Sequence, residues 1–259
     1  MIHARSLPRP WTDEGKRKAR PGMECHIKEV TMKLWQRSII ILTALILLFA
    51  GCNKEPEWRD TFDVDKQNLS PDGYNPYFVL TPGFQRVYAD GLGDTVISTV
   101  LDEINIIDSV RTRVIVDSEW VNGHNLEEVA RDYFAIDTTT GDVYYFGEDV
   151  NLYQSDTIVG HEGSWLSGVN DARFGLMMPG EGRLEVGDRF YQEIAPSVAM
   201  DRAELISISD TIVTPLSTYT NCVHFEETSG LESTATSDKW YAPNIGVVKD
   251  DDFVLIEIR

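Results

Sequence analysis

From Pro76 to the C-terminus, apolar and polar residues alternate with a period close to two, the signature of strands with one buried face. Val96–Leu101 and Ile104–Ile107 follow this pattern, and Arg111–Asp117 alternates less cleanly but is rich in β-branched residues. Tyr133–Asp137 and Val143–Phe146 flank a Thr- and Gly-containing turn at 138–142. Phe190–Ile194, Ala203–Ser209, Thr218–Glu227, Lys239–Ala242, Gly246–Lys249 and Phe253–Ile258 continue the series. Asn122-Gly123 is a two-residue hairpin signal, because both residues tolerate the positive φ of a type I′ turn. It makes Asn125–Arg131 the return strand of a hairpin in preference to a short helix. The Gly-rich stretch 160–187 reads as a long loop crossing the sheet. Ten or more short strands with turns at regular spacing predict an all-β protein. It would be a curved antiparallel meander forming a barrel, half-barrel or sandwich, since curling protects the edge strands.

The N-terminal third breaks the pattern. Met32–Arg37 is short and cationic, Ser38–Phe49 is an apolar run, and Ala50-Gly51-Cys52 follows. As a helix the apolar run extends only about 18 Å, too short for a comfortable bilayer crossing, so 32–51 reads as a signal peptide. Leu48-Phe49-Ala50-Gly51-Cys52 resembles the lipobox of bacterial lipoproteins, with Phe49 where an aliphatic residue is usual. That resemblance implies cleavage before Cys52 and lipidation of its thiol, hence membrane attachment through acyl chains such as palmitate. Several acyl chains hold a protein stably where one does not. Asn53 in place of Asp implies, by the same resemblance, the outer membrane if the host cell has two. Residues 1–31 carry mixed charge and three prolines and do not fit a signal peptide; Met32 reads as the start of translation. Residues 52–75 are polar and contain Pro56, Pro71 and Gly73. They read as a flexible tether of about 25 Å end to end, leaving 76–259 as a single β domain.

Charge narrows the partners. The formal net charge is −19, and residues 1–51 contain nine Lys/Arg and only four Asp/Glu. The chain from Cys52 onward therefore carries 14 basic and 38 acidic residues, a net of −24. Such a field repels phosphate backbones, which argues against nucleic acid. Of the three cysteines, Cys25 is removed with the signal and Cys52 is lipidated. Cys222 is then left without an intramolecular disulfide partner.

Motifs for chemistry are sparse. Gly163–Gly168 has the wrong spacing for a nucleophile elbow. Cys222 and His224 share a strand face and could touch, but Cys222 reads as an inert buried thiol. His124 and His161 complete the histidines after Cys52. No zinc-ligand spacing is present, and no metal or cofactor is expected. Asp63 and Asp65 open like a calcium loop, but Gln67, Asn68 and Tyr74 break it. Glu148–Asp149 and Asp250–Asp252 read as solvated turn acids. Asp188, Glu193, Asp201 and Glu204 lie close in sequence, as a carboxylate pair for glycoside hydrolysis would require; with so many acids this proximity has little meaning. Tyr144, Tyr145, Phe146, Trp165, Phe190, Tyr191, Trp240 and Tyr241 read as core and cross-strand pairs, or as the lining of an apolar cavity.

Asn75–Gly83 with Val87-Tyr88, Val143–Glu148, Gly163–Val169, Met178-Pro179, Val186–Glu193 and Trp240–Lys249, taken in order, resemble a widespread family of secreted bacterial β-rich domains of unknown function. That group is loosely akin to the lipoprotein-carrier half-barrel. The resemblance implies a curved antiparallel sheet and an exported address, and it transfers no catalytic residue. Three roles remain in view. The leading one is a non-enzymatic, lipid-anchored envelope domain that binds a partner protein, an apolar ligand or a glycan; as a scaffold it requires a filled core and an exposed apolar or aromatic patch. A carrier of lipid or another apolar ligand requires a large apolar cavity under the sheet. An envelope hydrolase requires a cleft with perturbed carboxylates or a His–acid pair.

Overall fold

The computed structural model describes residues 57–232 and 234–259. The strands are β1 Leu69–Ser70, β2 Gln85–Ala89, β3 Thr95–Ile107, β4 Val110–Val121, β5 Asn125–Asp137, β6 Val143–Gln154, β7 Thr157–Gly160 and β8 Trp165–Leu166. They continue as β9 Arg173–Met178, β10 Arg189–Tyr191, β11 Glu193–Ile194, β12 Asp201–Val213, β13 Thr218–Ser229, β14 Thr236–Ala242, β15 Gly246–Asp250 and β16 Phe253–Ile258. Helical structure among the described residues is limited to two 3₁₀ turns, Lys66–Asn68 and Glu181–Arg183. The fold is all-β, as the alternation predicts.

The sheet runs β10-β12-β13-β14-β15-β16-β2-β3-β4-β5-β6-β9-β11, with antiparallel ladders throughout. Its two outermost strands, β10 and β11, are consecutive in the chain. Segment 189–194 pairs first with β12, where Phe190 faces Ala203, and then with β9, where Glu193 faces Phe174. The sheet thereby curls into a nearly closed barrel with one unsealed seam, at which Gln192 is the switch point. Gln192 still donates its N–H to the Asp201 carbonyl at 2.8 Å. Across the seam, Gly175 of β9 lies so close that any Cβ would fall on the Gln192 carbonyl oxygen. Glycine is required there for the close approach.

Tight hairpins join neighbouring strands. Asn122 and Gly123 take φ of 52° and 76°, as a type I′ turn demands. Asp108-Ser109 and Ser155-Asp156 make equivalent turns with positive φ at both positions. Asn125 opens β5, so the return-strand reading is correct.

Two expectations need correction. The stretch 160–187 is not simply a loop. It contributes β8, which pairs with β6 opposite Gly147, and β9, which carries half the seam. Its glycines hide these short strands from a period-two reading. Nor is 52–75 a free tether over its described part. Arg59 forms a parallel bridge with Phe190, and Leu69–Ser70 pairs with Ile136 and Asp137. Phe62 meets the Tyr144 ring edge-on at 5.9 Å, and the Lys66 ammonium stands 5.8 Å over Phe174. This covering layer leaves Tyr133–Asp137 and Val143–Gly147 buried throughout. That explains why neither run alternates cleanly.

Replacing Gly175 with Ala should force the seam apart and lower stability by about 1–3 kcal/mol, the usual cost of overpacking. Urea unfolding followed by tryptophan fluorescence reads this directly.

Candidate functional site

Inside the barrel, where most small barrels place only apolar side chains, this chain places charge. Lys239 on β14 is 3% exposed, and its ammonium lies 2.8 Å from Glu227 Oε2 on β13 and 3.2 Å from Asp250 Oδ2 on β15. Cross-strand register makes the cluster possible, since Lys239 pairs with both Phe225 and Asp250 and Glu227 lies two residues beyond Phe225. Glu227 Oε1 also accepts a hydrogen bond from Gln192 Nε2 at 2.9 Å. The side chain at the seam is therefore wired into the ion cluster. Nearby, Arg86 on β2 is buried and donates to the Ser98 hydroxyl at 3.1 Å. On the opposite wall Asp132 accepts from the Tyr145 hydroxyl at 2.7 Å and faces Glu148 across the β5–β6 ladder.

The electrostatics follow from this arrangement. Burial pushes the Asp132 carboxyl up to about 6, and the neighbouring Asp117 and Glu148 add to the rise. Burial likewise raises Asp250 to about 7; Lys239 opposes the rise and Glu227 adds to it. Burial alone would lower Lys239, but Asp250 and Glu227 together hold it well above its ordinary value. One buried cation thus serves two carboxyls. Tyr145 and Tyr241 are raised as well, chiefly by burial.

The cavity bounded by Arg86, Asp117, Asp132, Lys239, Asp250 and Phe134 measures about 50 Å³, room for a few waters. Around it aromatic rings fill the barrel. Phe134 stacks with Tyr145 at 4.8 Å, Phe190 meets Phe225 edge-on at 5.8 Å, and Phe225 meets Tyr241 at 5.9 Å. Tyr144, Tyr145, Phe146, Trp165, Phe190 and Tyr241 are all core residues.

A second polar group lies outside this interior. His224 on β13 stacks on the Trp240 indole at 4.3 Å, and the Lys249 ammonium stands 4.5 Å over the same indole. His224 Nε2 is 2.7 Å from Asp238 Oδ1, and Nδ1 is 3.6 Å from Asp210 Oδ2. Asp210 also accepts from the Ser207 hydroxyl at 2.5 Å and from Trp240 Nε1 at 3.0 Å. The Ser207 bond chiefly holds the Asp210 carboxyl below its usual value. Both imidazole nitrogens face carboxylates, so neither faces a hydroxyl that it could activate. A Ser–His relay is not assembled.

The residues singled out from sequence are scattered. Cys222 is fully buried and donates its thiol to the Tyr219 carbonyl at 3.6 Å, while His224 turns to its two acids. Burial raises the Cys222 thiol above its ordinary value, which suits an inert cysteine. Asp188 pairs with Arg59 and Glu204 with Arg189, both at 2.7 Å. Glu193 is buried beside the seam. Asp188, Glu193 and Glu204 thus have separate surroundings and do not converge on one cleft. Glu148 is buried in the barrel and is not a turn acid, which corrects that reading. Asp149 accepts from the Tyr133 hydroxyl at 2.5 Å. Asp250 is also buried and belongs to the ion cluster; of its run, only Asp251 and Asp252 are exposed turn residues. Among the described residues no three His, Cys, Asp or Glu side chains are grouped as a metal ion would need. Cys52 lies outside the described residues. Sequence reading missed Lys239, Glu227 and Arg86. The available signal was a charged residue at an inward position of an alternating strand.

Two consequences can be measured. Removing the cation with Lys239→Met leaves two buried acids without their partner and should cost about 3–5 kcal/mol. The loss should be smaller at pH 5 than at pH 8, because the acids can then take up protons. Asp132 and Asp250 have folded values above their unfolded ones. They therefore favour folding below about pH 4, and this contribution is lost as pH rises to about 6 and 7 respectively. Asp132→Asn should flatten the fall in urea midpoint between pH 5 and pH 8.

Comparison with known proteins adds little beyond the architecture. No family model matches the chain, and no curated protein matches it in sequence. Among solved structures, it aligns with a "putative exported protein with YmcC-like fold" from Bacteroides fragilis at 16% identity and a TM-score of 0.37. That alignment covers 72% of this chain and 100% of the other. A "putative lipoprotein" from Parabacteroides distasonis aligns at 15% identity and a TM-score of 0.36, over 73% of this chain and 100% of the other. Likenesses of this size carry no argument about what this chain does.

Proposed function

We propose that this chain is a lipid-anchored protein of the bacterial cell envelope that works by binding a partner protein on its surface, without turning over a substrate. The observation that carries the reading is the ionic cluster buried inside the barrel. A carrier of acyl chains needs a large apolar cavity, whereas the cavity beside Lys239, Asp250 and Asp132 is about 50 Å³ and lined by charged side chains. Burying a methylene chain beside Lys239, Glu227 and Asp250 would bring no hydrophobic gain and would disturb paired charges. Hydrolysis by the perturbed carboxyls is disfavoured on the same ground, since Asp132 and Asp250 are at most 4% exposed and a polymer cannot reach them.

The outer surface fits the binding role better. β12 pairs with β10 only over Arg202–Glu204 and its neighbours, and β13 pairs with β14 only over Val223–Thr228. Residues 206–213 and 218–222 therefore form a two-stranded ribbon, which exposes Ile206, Ile208, Val213 and, in its turn, Leu216. Apolar side chains in water beside an incompletely paired strand are the usual features of a strand-addition surface. Anchoring rests on the signal segment and Leu48–Cys52. Acylation would hold the body at the membrane as an exported, acidic lipoprotein, at the outer membrane where the cell has two.

Metabolic labelling with radioactive palmitate should mark the native chain and leave Cys52→Ser unlabelled and uncleaved. Native mass spectrometry of residues 53–259, released from the envelope without detergent, should give the bare protein mass. A lipid bound in constant stoichiometry would overturn the binding-surface reading in favour of carriage.

A further inference from the structure

The anchor and the barrel seam are only a few residues apart, and this limits how the body can face the membrane. Between Cys52 and Trp58 lie five residues. Whatever their conformation, six Cα steps span at most about 22 Å. Trp58 is itself fixed to the seam. Arg59 N–H donates to the Arg189 carbonyl at 3.0 Å, and Tyr191 N–H donates to the Arg59 carbonyl at 2.9 Å. The Trp58 ring stands edge-on to Tyr191 at 6.4 Å, with the guanidiniums of Arg202 and Arg189 at 4.4 and 5.5 Å from its centre. A lipidated Cys52 would therefore hold this side of the barrel against the headgroup layer, while other faces remain free to point away.

The chemistry of this side suits that position. Trp58 and Tyr191 are half-buried aromatics with polar edges, the residue types that settle at membrane–water interfaces. The Tyr191 ring borders Gly230, and the next residue, Leu231, is 53% exposed. Basic residues are concentrated here in a chain that is otherwise strongly acidic. Four of the fourteen basic residues after Cys52, namely Arg59, Arg173, Arg189 and Arg202, gather at the seam. Three of them are paired with Asp188, Asp60 and Glu204. Among the described residues Arg202 forms no ion pair; its Nε donates to the Thr228 hydroxyl at 3.0 Å, and a guanidinium suits lipid phosphate. These arginines reduce the repulsion that an anionic leaflet exerts on this side.

We propose that the face formed by Trp58, Tyr191, Arg202 and Leu231 beside the seam is a membrane-docking surface that seats in the headgroup layer of the leaflet holding the Cys52 lipid. The inference rests on the lipoprotein reading. It leaves the ribbon at the far ends of β12 and β13, and not the seam, to any protein partner.

The test uses the mature, acylated chain reconstituted into phosphatidylethanolamine–phosphatidylglycerol vesicles, with and without bromine on the acyl chains. Four tryptophans remain after Cys52: Trp58, Trp120, Trp165 and Trp240. Bromolipid should quench one tryptophan's share of the emission, and Trp58→Phe should abolish that quenching. A spin label at Leu231→Cys, in a Cys222→Ser background, gives a second reading that leaves Trp58 intact. The label should gain accessibility to oxygen and lose it to aqueous nickel chelate when vesicles are present. The mass of the N-terminal peptide is read on the same sample. An acylated chain whose Trp58 is unquenched and whose label stays water-exposed overturns the docking face alone. A chain lacking acyl groups on Cys52 overturns the lipoprotein reading and the docking face together.

Discussion

Between Arg189 and Ile194 the chain serves both edges of one sheet, and the barrel exists because it does. Strand β10 completes one edge, β11 completes the other, and Gln192 between them is held by the Asp201 carbonyl on one side and packed on Gly175 at the other. A sheet of this length with open edges would invite pairing with other chains. Here the edges meet across a seam, and Arg59 lays a further strand-like contact over β10. The seam is also tied to the interior, since Gln192 donates to Glu227 and Glu227 pairs with Lys239. Closure and core charge are therefore mechanically one unit.

That coupling gives the buried ions a structural meaning. A buried cation with two carboxyls is a poor source of stability compared with apolar packing, because desolvation consumes most of the attraction. Its value lies in what it disfavours. β13, β14 and β15 must stay in register for Lys239 to reach Glu227 and Asp250, and a slip in register would strand a charge in the interior. The same ions leave an acyl chain no apolar space.

The polar group around His224 shows how little sequence proximity says about chemistry. Cys222 and His224 are two residues apart on one strand, yet the thiol is buried and the imidazole is clamped between Asp210 and Asp238. Asp188, Glu193 and Glu204 behave likewise, adjacent along the chain and divided among ion pairs and the seam.

What the sequence determined by itself was what local pattern can carry. Period-two alternation specified the strands, and Asn122-Gly123 specified its turn through positive φ. Composition specified the acidity, and acidity argued against nucleic acid. What only tertiary structure decided depends on residues distant in the chain. The polar stretch after Trp58 has no apolar period, so nothing local marks it as packed; it is held by the edges and rings of β5, β6, β9 and β10. Strands β8 and β9 are hidden among glycines because their stability comes from β6 and from close approach at Gly175, not from their own propensity. Lys239, Asp250 and Glu148 look like surface charges along the chain, and only barrel closure turns them inward. Pairing across strands sets which charges meet, and that pairing is absent from any window of sequence.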